Sequence, residues 1–420
     1  MTFRFGLAAL WDGVIITGVT AFPRRTIETM SQNNFLTDQL IPYLGNKRKL
    51  TGLVRRAVER TGLDAGTFFD AFAGSGAVGR LAKTLGFQII SNDWEPYARA
   101  IAQTYIGCNR APRFEKLGGL DRAIARLNAL PGRLGYIASH YCPADDDAPD
   151  PDRERMFYTQ ANGRRIDAIR EQLEDWRADG LLSEREFSVL LAPLLFQAAY
   201  VSNTSGVFKG WHRGWGGATK TAWYRILSSL TLARPVFHDN SKRNSVLCDD
   251  ACRVAPEVPC DIAYLDPPYN QHQYGANYHL LNTIALWDKP TVSRHYGQDG
   301  RRDKSAIRTD WRTLRRSRYC YRSSALPAFA ELLQRLQARW MLVSYSTDGI
   351  MTLDELTDEL GRHGKLDVVM RRYKRYRVSS QRPSPRRHTT EFVLIVQTGR
   401  PSTRRCVSRV LERIRGNDGG

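Results

Sequence analysis

The sequence predicts an α/β fold, a parallel sheet flanked by helices and cut in two along the chain by a mainly helical insertion. Three observations carry this. A strand–turn–helix–strand rhythm runs from about residue 67 to 106. Between 111 and 235 the apolar residues recur at helical spacing instead. Short strand signals resume only after 235.

The elements follow in order. Residues 47–61 (KRKLTGLVRRAVERT) place apolar side chains at 50, 53, 54, 57 and 58, the pattern of a basic amphipathic helix. Thr67–Phe72 reads as a buried strand, glycines punctuate the turn after it, and a short helix covers about 77–85. Phe87–Ser91 is the next strand and Pro96–Ile106 the next helix. Inside the insertion, Arg164–Trp176 and Glu184–Val201 have helical patterns. An acidic loop (Asp145–Asp147) and a Gly/Trp-rich stretch (GVFKGWHRGWGG, 206–217) accompany them. Later strands are expected at Ser245–Leu247, Asp261–Leu265, Trp340–Tyr345 and Phe392–Gln397. Residues 38–110 and 236–400 thus form one split domain, with 111–235 inserted into it. Residues 401–420 read as a frayed basic tail, and 1–37 as a dispensable extension containing a second Met at position 30.

Composition narrows the class. The 420 residues are 42% hydrophobic, enough for a large core and a second module. Lys and Arg number 62 against 43 acidic residues, a net charge of +19, which favours a polyanionic partner. Seven Cys with no CxxC pair suggest neither a disulfide framework nor a zinc site, so no metal is expected and a reducing cytoplasm fits. The apolar stretches within 1–22 are interrupted by Trp11-Asp12-Gly13, so no signal peptide is expected, and no later run is long enough to span a membrane.

Two motifs carry chemistry. In the first, DAFAGSGAVG (70–79), an acidic residue ends a strand and glycines open the turn into a helix. Glycine suits a backbone that takes unusual angles or lets a ligand approach. The spacing also satisfies GxGxxG, so a nicotinamide or flavin site competes at this point. Asp93, at the end of the next strand, suits ribose hydroxyls of any adenosine-containing cofactor. In the second motif, Asp266-Pro267-Pro268-Tyr269 follows the apolar strand Ile262–Leu265. The prolines stiffen the turn and remove backbone donors. The Asp266 carboxylate and the Pro267 carbonyl can both accept from one amino group, while Tyr269 offers a face for a base. Such a site holds an exocyclic amine with its lone pair aimed at an electrophile. A base in a duplex must leave the stack to reach it. One Gly-rich loop and one DPPY indicate one catalytic unit.

DAFAGSG followed by DPPY resembles the amino-methyltransferases that act on DNA adenine. IPYLGNKRKL (41–50) precedes the Gly-rich loop and the long insertion precedes DPPY, an order similar to the Dam-like, alpha-arranged group. The strings DPPYNQHQYGANYHLLNTIALWDKP (266–290), RMFYTQANGRRIDAIR (155–170), SNTSGVFKG (202–210) and SYSTDGI (344–350) resemble the FokI-type branch of restriction–modification methylases. The resemblance spans about 40–397. It implies a Rossmann-like, S-adenosylmethionine-dependent methyltransferase sheet. Tyr43 and Lys47 are implied to contact the cofactor, Asp70, Phe72, Gly74 and Gly76 to cradle its methionine part, and Asp93 to hold its ribose. Asp250, or adjacent Asp249, is implied to contact its adenine. Asp266, also close to the cofactor, would hold the target base with Pro267 and Tyr269.

The expected reaction is methyl transfer from S-adenosylmethionine to the N6 amino group of adenine in duplex DNA, at a specific site. A companion restriction endonuclease and a monomeric enzyme are the accompanying expectations. The alternatives are RNA adenine or DNA N4-cytosine methylation, or a non-catalytic DNA-binding regulator on the same fold. The Asp that opens DPPY favours adenine, and the filled catalytic positions disfavour the regulator. The basic run 298–322, with nine Lys or Arg, reads as a phosphate-contacting arm. Trp211 and Trp215 either pack the insertion or edge a DNA groove, and Arg371–Arg377 is either a charged strand or a DNA contact. His272 is not expected to act as a base, because an amine attacking a sulfonium-bound methyl sheds its proton readily to water.

Overall fold

The computed structural model describes residues 34–43, 45–220, 222–292, 311–374 and 388–418. Most of the N-terminal extension, the first part of the basic run and residues 375–377 lie outside these. The described residues build a seven-stranded sheet in the order β3-β2-β1-β4-β5-β7-β6. The strands are β1 (Thr67–Asp70), β2 (Gln88–Asn92), β3 (Ser245–Leu247), β4 (Cys260–Leu265), β5 (Ala338–Ser346), β6 (Gly364–Lys374) and β7 (His388–Thr398). β1 to β5 pair in parallel, and β7 joins antiparallel to both β5 and β6. The mixed sheet, mostly parallel with helices on its faces, is that of a Rossmann-like methyltransferase.

Side-chain alternation along the strands builds two faces. Phe68, Ile262, Tyr264, Val393 and Ile395 point to one layer, where they meet α1 (Thr51–Glu59) and α2 (Ala77–Thr84). Phe69, Ala263, Leu265, Leu394 and Val396 point to the other. A third cluster, described below, joins α3 (Pro96–Tyr105) to the insertion. α1 is shorter than its sequence pattern: a 3-10 turn at Lys47–Lys49 precedes it, capped by the Asn46 side chain on the Arg48 amide at 2.8 Å. Among the described residues no helix is long and apolar enough to cross a membrane.

Residues 111–235 carry α4 (Leu120–Ala129), α5 (Tyr136–Tyr141), α6 (Gln160–Ala178), α7 (Glu184–Tyr200) and α8 (Trp223–Ile226), with no strand among the described residues. α7 lies against α3, and its buried Leu190, Leu191, Leu194 and Leu195 share one cluster with Tyr97, Ile101 and Tyr105. Buried polar residues brace this part. Asp167 accepts the amides of Gly135, Ile137 and Ala138 at the start of α5. Arg170 donates to the Ile284 carbonyl and lies over the Phe187 and Trp287 rings. The string 155–170 is therefore structural where its burial is greatest.

After β3 the chain forms α9 (Ala251–Val254), then β4, α10 (Tyr274–Asn277), α11 (His279–Leu286), α12 (Trp311–Leu314) and α13 (Ala325–Arg335). α14 (Leu353–His363) separates β5 from β6, and α15 (Arg404–Asp418) ends the described chain. α15 corrects the reading of a frayed tail. Val410, Leu411 and Ile414 are buried against the sheet, and Arg413 pairs with Asp367 at 3.0 Å. Its basic composition masked an ordinary i, i+3, i+4 apolar stripe.

Residues 34–37, the described part of the extension, are tied to the sheet layer. The buried Arg80 guanidinium donates to the carbonyls of Phe35 (3.0 Å) and Asp38 (2.7 Å) and stacks on Tyr105.

Candidate active site

In a sheet of this order the chain turns in opposite directions on either side of the β1–β4 pair, which leaves a crevice at the strand carboxyl ends. The two chemical motifs flank that crevice. Asp70 ends β1, Asp266 follows Leu265 of β4, and the Ala71 amide donates to the Tyr264 carbonyl at 3.1 Å. A cleft of about 1110 Å³, mouth included, opens there. Its lining includes Tyr43, Phe72, Asp93, Asp249, Asp250, Asp266, Pro268 and Tyr269.

The Gly-rich turn is shaped by contact as well as by φ. Gly74 has φ +51°, and a Cβ there would lie 2.9 Å from the Tyr43 ring. Its amide donates to Asp93 Oδ2 at 2.7 Å, and the Glu95 amide donates to Oδ1 at 2.9 Å. Asp93 thus locks the β1 loop to the β2 loop while remaining on the cleft wall. Gly76, φ +77°, starts α2 and does not line the cleft. Asp70 lies below the cleft floor, its carboxylate near the Phe72 and Gly79 amides but in no well-angled hydrogen bond among the described residues. Burial, with Asp266 and Asp93 nearby, pushes its carboxyl up to about 8.

At the other end Asp266 faces Lys47. Lys47 Nζ is 2.9 Å from Asp266 Oδ1, and their side chains are 4% and 16% exposed. The contact is an ion pair by distance rather than a well-angled hydrogen bond. Burial works against the Lys47 charge, yet Asp266 and the groups around it hold the ammonium above its ordinary range. Burial raises the Asp266 carboxyl, and Lys47 opposes that rise. Lys47 also sits 5.1 Å from the centre of the Tyr269 ring, which meets Tyr345 edge-on. Gly45, φ +76°, leaves room for the Tyr269 hydroxyl, which a Cβ would approach to 3.1 Å. Pro267 is buried behind the wall, and Pro268 occupies the lining position instead.

Asp250 caps α9 through the Cys252 amide at 2.8 Å. Asp249 is held by Asn92, whose side chain bridges the Asp249 amide and carbonyl. Both line the cleft, so the choice between them stays open.

The structure adds residues that the sequence did not single out. Glu95 lines the cleft, takes a hydrogen bond from Asn282, and is pushed up to about 7 by burial and by Asp93. Tyr43 stacks on Tyr278 at 4.8 Å, closing one end with Tyr274. Arg315–Tyr319 form the opposite wall. Gln273 clasps Ser317 by two backbone hydrogen bonds, Arg315 donates to the Trp94 carbonyl, and Tyr319 meets Phe72 edge-on at 5.3 Å. The basic run had marked this segment, but as a phosphate arm; in its described part it is a wall of the cleft. Glu391 on β7 is buried, which raises its carboxyl above the ordinary range; Lys47 opposes that rise, and Asp266 adds to it. His272 lies toward Lys209, with Nδ1 3.5 Å from Lys209 Nζ.

Comparison with known proteins agrees with this geometry. The family model described as D12 class N6 adenine-specific DNA methyltransferase matches residues 43–334. The type II methyltransferase M.NlaIII of Neisseria lactamica is 34% identical over 84% of this chain and 98% of its own length. The modification methylase LlaI of Lactococcus lactis subsp. lactis is 31% identical over 80% of this chain. The type II methyltransferase M.FokI of Planomicrobium okeanokoites is 30% identical over 84% of it. The match spans about half the length of these last two, 51% and 52%. A sheet with acidic strand ends, a DPPY loop beside the Gly-rich turn, and a family match over most of the chain lead to one conclusion: this protein belongs to the D12 class of N6 adenine-specific DNA methyltransferases.

Proposed function

We propose that the cleft binds S-adenosylmethionine across the ends of β1, β2 and β3, and a flipped-out adenine against Asp266 and Tyr269. The juxtaposition of the Asp266–Lys47 pair with Tyr269, on the strand next to Asp70, supports this most directly. The donor set fits a cationic nucleoside cofactor. Asp93 and Asp249 or Asp250 offer carboxylates at successive strand ends, Phe72 and Tyr319 offer ring surfaces, and Asp70 is a buried acid below. Tyr43 and Gly74 shape the end of the cleft. When bound, S-adenosylmethionine supplies a methyl group on a positively charged sulfur. Asp266 accepts a hydrogen bond from the adenine amino group and orients its lone pair. Tyr269 stacks on the base, and the enclosing walls fix its orientation. As the nitrogen–methyl bond forms, the sulfur–methyl bond would break, leaving S-adenosylhomocysteine, and the amino proton would pass to solvent.

The expected outcome for Asp266→Ala is loss of methyl transfer by about 10³-fold or more in a protein that stays folded. Labelled S-adenosylmethionine and unmethylated genomic DNA, with nucleoside analysis, measure it. Full transfer by the variant, or label in RNA rather than N6-methyladenine in DNA, removes the assignment.

Segment 111–235 is proposed to recognise the target. Its loop 202–217 lies beside the segment that follows DPPY: the Phe208 amide donates to the Asn277 carbonyl at 2.7 Å. The relatives' names motivate the further proposal of a restriction–modification role with a partner endonuclease. We also propose that the enzyme works as a monomer in the cytoplasm; sedimentation with and without DNA tests the monomer.

A further inference from the structure

We propose that Glu391 is a positioning residue that takes over the Lys47 ammonium when the target amino group engages Asp266. This rests on the reading that Asp266 receives the adenine amino group. Without substrate, Lys47 holds Asp266 Oδ1 at 2.9 Å. An ammonium there competes with the amino group for that oxygen and withdraws charge from the acceptor. Lys47 cannot simply turn to water, because its side chain is 4% exposed. A buried charge deprived of its partner is strongly unfavourable, so the ammonium needs a second anion within the protein.

Glu391 is placed to be that anion. It lies on β7 opposite Ser346 of β5 and Arg371 of β6, and is 8% exposed. Its Oε2 is buried with no hydrogen-bond partner among the described residues. Buried carboxylate oxygens are ordinarily paired, and Arg371, directly opposite Glu391 in the β6–β7 pair, reaches the turn that carries Lys47, so this orphan on the same sheet face calls for an explanation. The charged and titratable groups facing Lys47 are Asp266 and Tyr264 from β4, Tyr269 from the loop after it, and Glu391 from β7; Asp348, after β5, acts in turn on Glu391. Glu391 is the one carboxylate among those acting on Lys47 that is not needed for the base. The turn carrying Lys47 is fixed from behind, where Arg371 donates to the Lys49 carbonyl at 3.1 Å, so the exchange is assigned to the Lys47 side chain rather than to its backbone. No proton or covalent bond changes hands: one ammonium moves between two carboxylates.

Glu391→Gln keeps the shape and removes the charge. Under single-turnover conditions with S-adenosylmethionine and target duplex, the rate of methyl transfer is expected to fall about 10- to 100-fold. The cofactor dissociation constant and the melting temperature should stay near wild type, and Glu391→Asp should restore part of the rate. Combined with Lys47→Met, the Glu391→Gln change should add no further loss, since the charge it serves is gone. An unchanged rate in Glu391→Gln overturns the proposal, as does full additivity with Lys47→Met or a loss of rate matched by loss of cofactor binding. If Glu391→Gln does not fold, a structure of the wild type with S-adenosylhomocysteine and target DNA decides. Lys47 Nζ within ion-pair distance of Glu391 supports the exchange, and Lys47 still paired with Asp266 alone overturns it. A wild type that does not methylate DNA adenine at all fails the underlying reading instead, whatever Glu391 does.

Discussion

Asp70 shows how the cleft's electrostatics act through single residues. Its carboxyl is raised from 3.8 to about 8 by burial, then by Asp266 and Asp93. The folded state therefore keeps a proton that the unfolded chain releases. The stabilisation this gives is complete below the unfolded value and is lost as pH rises toward 8. Asp70→Asn, neutral throughout, should melt above wild type at pH 8 by at least 2–4 °C, roughly the shift expected per kcal/mol. The gap should close toward pH 4. Above pH 8, where the wild-type Asp70 carboxyl is ionised, the same variant should bind S-adenosylmethionine at least about tenfold more weakly, from loss of one charge. Thermal melts across pH and a cofactor titration check both, and an equal gap at pH 4 and pH 8 counts against the buried acid. At this scale the sequence was informative where the chemistry has a local pattern. Asp70, Asp93, Asp266 and Tyr269 each sit in a recognisable string at a strand end. Glu391 does not: one acid on a β-strand has no distinguishing spacing, and its meaning comes from Lys47, which is remote in sequence.

Among the elements, the loop 202–217 and α8 settle which aromatic residues are structural. Trp211 meets the Phe157 ring edge-on at 5.3 Å, and the Trp215 indole donates to the Asp146 carbonyl. Both are engaged by the insertion itself. Exposed aromatics lie further along, on α8, where Trp223 and Tyr224 are 52% and 67% exposed. Trp211→Ala should therefore cost stability, about 2 kcal/mol for a partly buried ring. The Trp223→Ala, Tyr224→Ala double variant should melt normally and bind S-adenosylmethionine normally. It should lose about tenfold or more in affinity for DNA, the scale of one or two base–aromatic contacts. Fluorescence anisotropy with a labelled duplex decides this; unchanged DNA affinity places the contact elsewhere. The parallel strands were legible because each is a short apolar run bounded by turns. β6 was half legible: Leu366 and Val368 alternate with Lys365 and Asp367, but the basic run that follows invites a DNA reading.

Over the whole molecule, charge and packing each make a prediction. With a net charge of +19, DNA affinity should fall steeply with salt, by about 10³-fold or more between 50 and 200 mM if six or more phosphates are contacted. A shallow salt slope would mean that the excess positive charge faces away from DNA. The change to a helical pattern after about 111 was visible in the sequence, but the packing of α7 against α3 was not, since a change of pattern marks where an element begins and not what it packs against. α15 was missed for a related reason. Composition weighted toward Arg concealed the buried stripe that covers the sheet.

The split of the sheet has a consequence for synthesis. β1 is flanked by β2 and β4, and Phe68 pairs with Ile262 across the entire insertion. This interior strand thus leaves the ribosome long before the neighbour that completes it. Until then, β1 and β2 present unfinished edges and apolar faces, a state open to aggregation. The α6–α7 pair is made of local contacts and lies between them in the chain, so it can form first and serve as a surface on which α3 docks. The high sequence separation of the β1–β4 pairing makes closure of the active site a late event in the protein's assembly: the cleft can be complete only once synthesis has passed Ala328, the last residue of its lining.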